Sequence, residues 1–335
     1  MNQIDPPLNL REMLQNEILL PIIQTIELQQ EPITHLVLSG GGVWGLPIYG
    51  ALLEMKNNGI FDIENIKTIY STSVGTIIAT LIAMKFDWEI YTDYLIKRPW
   101  NKVWNIEIED LINAYDSCGI YDKDFIRVFV EPFLKARDME LNVTLLDFYK
   151  QTNIEIHMFV TELNEFKPVD ISYKTHPDWQ LLDAIYASCA IPIIYKPYLT
   201  KDNCYIDGCF FTNYPIQPCI ENIGIENIHR ILGICLKYNL KNIENITESN
   251  ITNIFDYFLT FMQRIVHNRL IANISTKSVE APHTLYVSGD ATTLSLLEKL
   301  LNHSTERREM IELGKTEALA FIKTHFSNPF IRCFP

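Results

Sequence analysis

Apolar runs and helix-period stripes alternate along most of this chain. The short run Leu36-Val37-Leu38 reads as a strand buried on both faces, and the stretch from Pro47 to Met55 behind it as a helix. A second unit follows: Ile66 to Tyr70 as a strand, then Thr76 to Met84 as a strongly apolar helix. Further on, Ile154 to Leu163 and His229 to Tyr238 read as buried strands, His283 to Val287 as a late strand, and Leu182 to Pro192 as a helix of small residues halted at a proline. Between 254 and 274, Phe258, Met262, Ile265 and Val266 recur at helical spacing, and helices continue over 294–301 and 306–326. This alternation predicts a three-layer α/β/α fold with a largely parallel central sheet. One domain is expected over 31–326, with 236–326 largely helical. Residues 1–30 form an extension with one helix over 8–23, 327–335 a tail, and the Asn-rich stretch 241–253 a surface loop.

Two of the strand-to-helix junctions carry unusual residues. The first, Ser39-Gly40-Gly41-Gly42-Val43-Trp44-Gly45, strings bare amides along a turn that opens a helix, an arrangement suited to an anion. Gly40, Gly42 and Gly45 also satisfy a dinucleotide fingerprint. That reading needs an acid at the tip of the next strand, and the tip here is Tyr70-Ser71-Thr72-Ser73. The second junction, Ser71-Thr72-Ser73-Val74-Gly75, has the form of a nucleophile elbow, in which small neighbours let a tight turn push a serine hydroxyl outward. Taken alone it reads equally as a Ser/Thr-rich helix cap.

Two more features follow in order: the helix end Ala187-Ser188-Cys189-Ala190-Ile191-Pro192, and Asp207-Gly208 at the end of a short strand, with Asn213-Tyr214-Pro215 beyond. In order and spacing these four features resemble the patatin-like phospholipases from about residue 33 to 326. The resemblance implies that Ser73 is the nucleophile and Asp207 its base, with Gly40, Gly41 and Gly42 as oxyanion donors. Gly45, Gly75 and Gly208 would support the turns. Two positions depart from the family pattern: Ser71 stands where the elbow usually has glycine, and Trp44 where the Gly loop usually has arginine. Cys209 after Gly208 is a smaller change.

The implied chemistry is acyl transfer from a phospholipid or related ester to Ser73, then hydrolysis, with no cofactor. A serine hydroxyl needs a base within reach, and a carboxylate acting alone needs partial desolvation to become basic enough. Two other readings stay open. One is a pseudoenzyme that binds acyl chains without cleaving them, because of Ser71 and Trp44. The other is a Ser-His-Asp triad, for which His229, His267, His283, His303 and His325 all follow Asp207, though each reads as a structural residue of a strand, helix or helix end.

Composition narrows the setting. Seven cysteines at irregular spacings, with no C-x-x-C pair, predict reduced thiols rather than zinc or a disulfide framework. The start of the chain lacks a basic and then apolar leader, and no run reaches the ~18 apolar residues of a membrane span, so a cytoplasmic protein with peripheral access to lipid is expected. A net charge of −13 disfavours general attraction to anionic bilayers, and nothing in the sequence points to nucleic acid. Trp88, Trp100 and Trp104, near Lys97, Arg98 and Lys102, are candidate docking residues for a headgroup interface. Spacing of acids and histidines gives no metal site.

Overall fold

Strand β1 (His35–Leu38) is buried along its whole length, as a central parallel strand must be. The computed structural model of the chain describes residues 31–104, 114–239, 254–275, 280–290 and 292–326. The helix expected over 8–23, the loop over 241–253 and the tail over 327–335 lie outside them. β1 pairs in parallel with β2 (Thr68–Thr72) on one side and β9 (Ile231–Tyr238) on the other, and β9 pairs in parallel with β10 (His283–Gly289). Beyond β2 comes β4 (Glu155–Glu162), again parallel. The remaining members are antiparallel: β5 (Lys167–Ile171) and β8 (Cys204–Asp207) on β4, and β7 (Tyr198–Leu199) on β8. A small separate pair is formed by β3 (Gly119–Tyr121) and β6 (Ile193–Tyr195). The largely parallel sheet is therefore present, with an antiparallel flank that the sequence pattern does not announce.

Both faces of the sheet are covered. Leu36, Leu38, Ile69, Met158 and Val160 point into the larger core, against α1 (Gly45–Asn57), α2 (Val74–Ala83) and α6 (Leu181–Cys189). The alternate residues Val37, Tyr70, Phe159 and Ile231 point the other way into a smaller core with α8 (Ile216–Ile223). That alternation, read along each strand, yields the three layers.

Two helices absent from the sequence expectation follow: α3 (Trp88–Lys97), and α4 (Lys123–Ala136), which buries Phe125, Ile126, Val130, Phe133 and Leu134 at helical spacing. Toward the C-terminus come α9 (Ile254–Ser275), α10 (Leu294–Asn302) and α11 (Ser304–His325). α11 crosses α1 at backbone contact: a Cβ on Gly50 would lie 2.1 Å from the Ile311 carbonyl oxygen, and one on Gly314 would lie 1.9 Å from that of Pro47. Arg307, 5% exposed, donates to the carbonyls of Ile96 and Arg98 at the end of α3 and of Leu300 and Leu301 at the end of α10. A guanidinium at two helix C-termini meets the negative ends of both dipoles.

Candidate active site

The end-to-end meeting of β2 and β8 builds the site. Phe159 of β4 pairs with Thr72 of β2 on one edge and Asp170 of β5 on the other; the next residue, Val160, pairs with Asp207 of β8 and Val169 of β5. Because β5 holds one edge throughout, β2 and β8 share the opposite edge and point at each other. Ser73, one residue past the end of β2, is thereby brought to Asp207, the last residue of β8.

Ser73 has φ 55° and ψ −129°, a sparsely populated conformation for a residue with a side chain. The elbow is held by close packing: a Cβ on Gly75 would sit 2.7 Å from the Ser39 carbonyl oxygen and 2.8 Å from that of Leu38. Ser71 is fully buried, donates to the His157 carbonyl at 3.2 Å, and accepts from Thr76 Oγ1 at 3.2 Å. The extra hydroxyl at the usual glycine position is therefore satisfied rather than strained. Ser188 is a residue whose role sequence reasoning misses. Its Oγ accepts the Ser73 N–H at 3.0 Å and donates to the Phe159 carbonyl at 2.8 Å, tying the elbow to β4. The only hint in the sequence is the small-residue character of α6.

Asp207 is fully buried. Its Oδ1 accepts the Cys209 N–H at 2.8 Å, its carbonyl accepts from Thr161 Oγ1 at 2.9 Å, and its own N–H donates to the Ala190 carbonyl at 3.0 Å. Oδ2 is buried without a hydrogen-bond partner. Burial pushes the Asp207 pKa up to about 6, against the lowering pull of the Ser73 hydroxyl and the Cys209 amide. The Ser73 hydroxyl thus favours the charged form from close by. Gly208 must be glycine, since a Cβ there would lie 2.3 Å from the Phe159 carbonyl oxygen.

Within the Gly loop the three amides differ: the Gly40 N–H donates to the Asn213 carbonyl at 3.0 Å and is engaged within the fold. Gly41 and Gly42 open the one-turn helix Gly42–Trp44, where amides have no partner within the helix, and both line the cavity described below. Gly42 has φ +57°, and a Cβ on Gly41 would meet Leu236 at 2.5 Å. A Cβ on Gly45 would lie 2.4 Å from Val74 Cγ2, so the loop and the elbow pack closely here. Trp44 does not face the cavity. Its Nε1 donates to Thr292 Oγ1 at 3.2 Å and its ring lies against Gly289, so it anchors the loop to the segment after β10.

Ser73 and Asp207 open into a cavity of about 270 Å3 with almost entirely apolar walls. It follows the stripe Val74, Ile77, Ile78, Leu81 and Ile82 along α2, about 12 Å at 1.5 Å per residue. Phe125 and Phe129 of α4 and Leu259 and Met262 of α9 form facing walls. Trp100 and Trp104 belong to this wall as well. Trp88 and Trp100 are 6% and 5% exposed, so the tryptophans are core and pocket residues and not a headgroup surface. No histidine among the described residues lines the cavity, which leaves the Ser-His-Asp reading without a base. Among the described residues no cluster of three or more His, Cys, Asp or Glu is gathered to hold a metal ion. The six cysteines described are free thiols.

Comparisons with known proteins bear on the family and the fold. The family model for patatin-like phospholipase matches residues 36–220. "Uncharacterized protein R571" of Acanthamoeba polyphaga mimivirus is 26% identical over 278 residues, covering 80% of this chain and 88% of that protein. "Probable lipid hydrolase 463L" of Invertebrate iridescent virus 6 is 26% identical over 195 residues, covering 57% of this chain and 65% of that protein. Among solved structures, VipD from Legionella pneumophila superposes with a TM-score of 0.51 at 15% identity, over 88% of this chain and 67% of that one, a likeness of fold alone. Since the family match spans more than half of the sequence, the chain belongs to the patatin-like phospholipases and is a lipid acyl hydrolase.

Proposed function

We propose that the chain cleaves carboxylic esters of phospholipids or related lipids through a Ser73-Asp207 dyad and an acyl-enzyme. The observation that carries this reading is the meeting of two strand ends on β4, with a strained serine and a buried carboxylate both in the lining of one apolar cavity. Asp207 Oδ2 takes the hydroxyl proton as Ser73 Oγ attacks the ester carbon, and the carbonyl π pair moves onto oxygen. The Gly41 and Gly42 amides receive that charge. Collapse of the intermediate breaks the ester C–O bond, and the departing alkoxide takes the proton from Asp207. Water then repeats the sequence on the acyl-enzyme and releases the fatty acid.

The acyl chain lies along the α2 stripe, where burial contributes ~0.8 kcal/mol per methylene. Lipid is reached peripherally, since no described helix is long and apolar enough to cross a membrane. The surface for that contact is α9. Its inner side lines the cavity with Leu259 and Met262, while Ile254, Tyr257 and Phe261 on the outside are 75%, 56% and 52% exposed at i, i+3 and i+7. The pseudoenzyme alternative is weakened by the satisfied Ser71 hydroxyl and by Trp44, which packs away from the cavity. Fatty-acid release from phospholipid vesicles tests the reading. Ser73→Ala should abolish release and Asp207→Asn should slow it strongly, both with the fold intact, and release that survives Ser73→Ala would refute it.

A further inference from the structure

Two buried polar atoms near the elbow lack partners, and they are of opposite kind: Asp207 Oδ2, an acceptor, and Asn213 Nδ2, a donor. Asn213 is 6% exposed and lines the same cavity as Ser73, Gly41 and Gly42. Native folds rarely leave a buried donor unpaired, and those that do keep one commonly hold it for a ligand. The point that a Gly40 Cβ would occupy lies 2.6 Å from Asn213 Oδ1 and 3.0 Å from Ser73 Cβ, so the planar carboxamide that carries Nδ2 sits beside the serine. The backbone of Asn213 is fixed from two sides: its carbonyl holds the Gly40 N–H at 3.0 Å, and the preceding carbonyl, of Thr212, holds Thr72 Oγ1 at 2.6 Å.

We propose that the Asn213 carboxamide completes the oxyanion hole, its Nδ2 donating to the ester carbonyl oxygen beside the Gly41 and Gly42 amides. The residue whose backbone consumes the Gly40 amide supplies a donor in its stead. Serine attack then uses both orphaned atoms at once: the hydroxyl proton goes to Asp207 Oδ2, and the charge that gathers on the carbonyl oxygen meets Asn213 Nδ2. The donor is held before substrate arrives, which is the condition for electrostatic stabilisation without reorganisation. This inference rests on the dyad reading and adds to it a catalytic residue.

The test compares Asn213→Ala and Asn213→Leu with the parent chain on a matched pair of activated esters, one an ordinary oxoester and the other a thionoester, whose sulfur accepts hydrogen bonds poorly. Loss of a donor should lower kcat on the oxoester by about 100- to 1,000-fold with little change in KM. Thionoester turnover should change far less, so the oxoester-to-thionoester ratio collapses in both variants. The ratio is taken within one preparation, so a partly unfolded variant does not blur it. A ratio unchanged from the parent, or activity lost in Asn213→Ala and restored by the bulk of Asn213→Leu, would overturn the proposal and reduce Asn213 to a packing residue. Turnover in the parent that does not depend on Ser73 would instead overturn the dyad reading beneath it.

Discussion

Asp207 is the residue on which the pH behaviour turns. Burial raises its pKa from 3.8 to about 6, so the folded chain binds this proton more tightly than the unfolded chain. The corresponding stability is fully present below about pH 3.8 and is lost as pH rises through about 6. Catalysis needs the charged form and therefore runs oppositely, with the acylation rate rising as pH passes through about 6. Asp207→Asn is expected to slow acylation by about 100- to 10,000-fold. The same change should raise the melting temperature at pH 7 and flatten its dependence between pH 4 and 6, which thermal scans across that range would check. Ser188→Ala would leave the Ser73 N–H unpaired, a loss of about 1–3 kcal/mol readable by urea unfolding. Ser73, Gly75 and Asp207 are legible in the sequence because tight turns demand small residues at fixed offsets. The spending of the Gly40 amide and the roles of Ser188 and Asn213 are not, since each depends on a partner far along the chain.

Among the elements, α11 bears on the Gly loop through α1. Its Gly314 lies against α1, whose first residue, Gly45, follows the loop directly. Gly314→Ala would force the two backbones apart and is expected to cost about 1–3 kcal/mol by chemical denaturation. A fall in kcat should accompany it, as Gly41 and Gly42 shift with the start of α1. Arg307→Met removes the guanidinium from four carbonyls at two helix ends and should cost on the order of 2–3 kcal/mol in the same measurement. The parallel strands and the C-terminal helices are legible from apolar runs and periodicity. α4 is not, because Pro132 inside it marks a boundary when met in a sequence. β5 and β7 are short, partly exposed antiparallel additions with no continuous apolar run to announce them.

For the whole molecule, the question is how an acidic protein reaches lipid. A net charge of −13 disfavours general attraction to anionic bilayers, and the tryptophans that suggest a headgroup surface in the sequence are buried in the pocket wall. Composition shows that aromatics exist but not which way they face, and only the packed fold separates the two roles. The account therefore predicts that Trp100→Ala lowers turnover of long-chain soluble esters more than of short-chain ones. Replacing Ile254, Tyr257 and Phe261 together by serine should instead weaken vesicle sedimentation and vesicle-borne turnover while sparing soluble esters. All of this presumes that Ser73 is the nucleophile. Labelling of the purified chain with a tagged fluorophosphonate, with the modified residue located by peptide mass spectrometry, tests that directly. The account predicts one label per chain, on Ser73, absent in Ser73→Ala and strongly slowed in Asp207→Asn. A label on another residue, or none on a folded chain that still releases fatty acid, would contradict it.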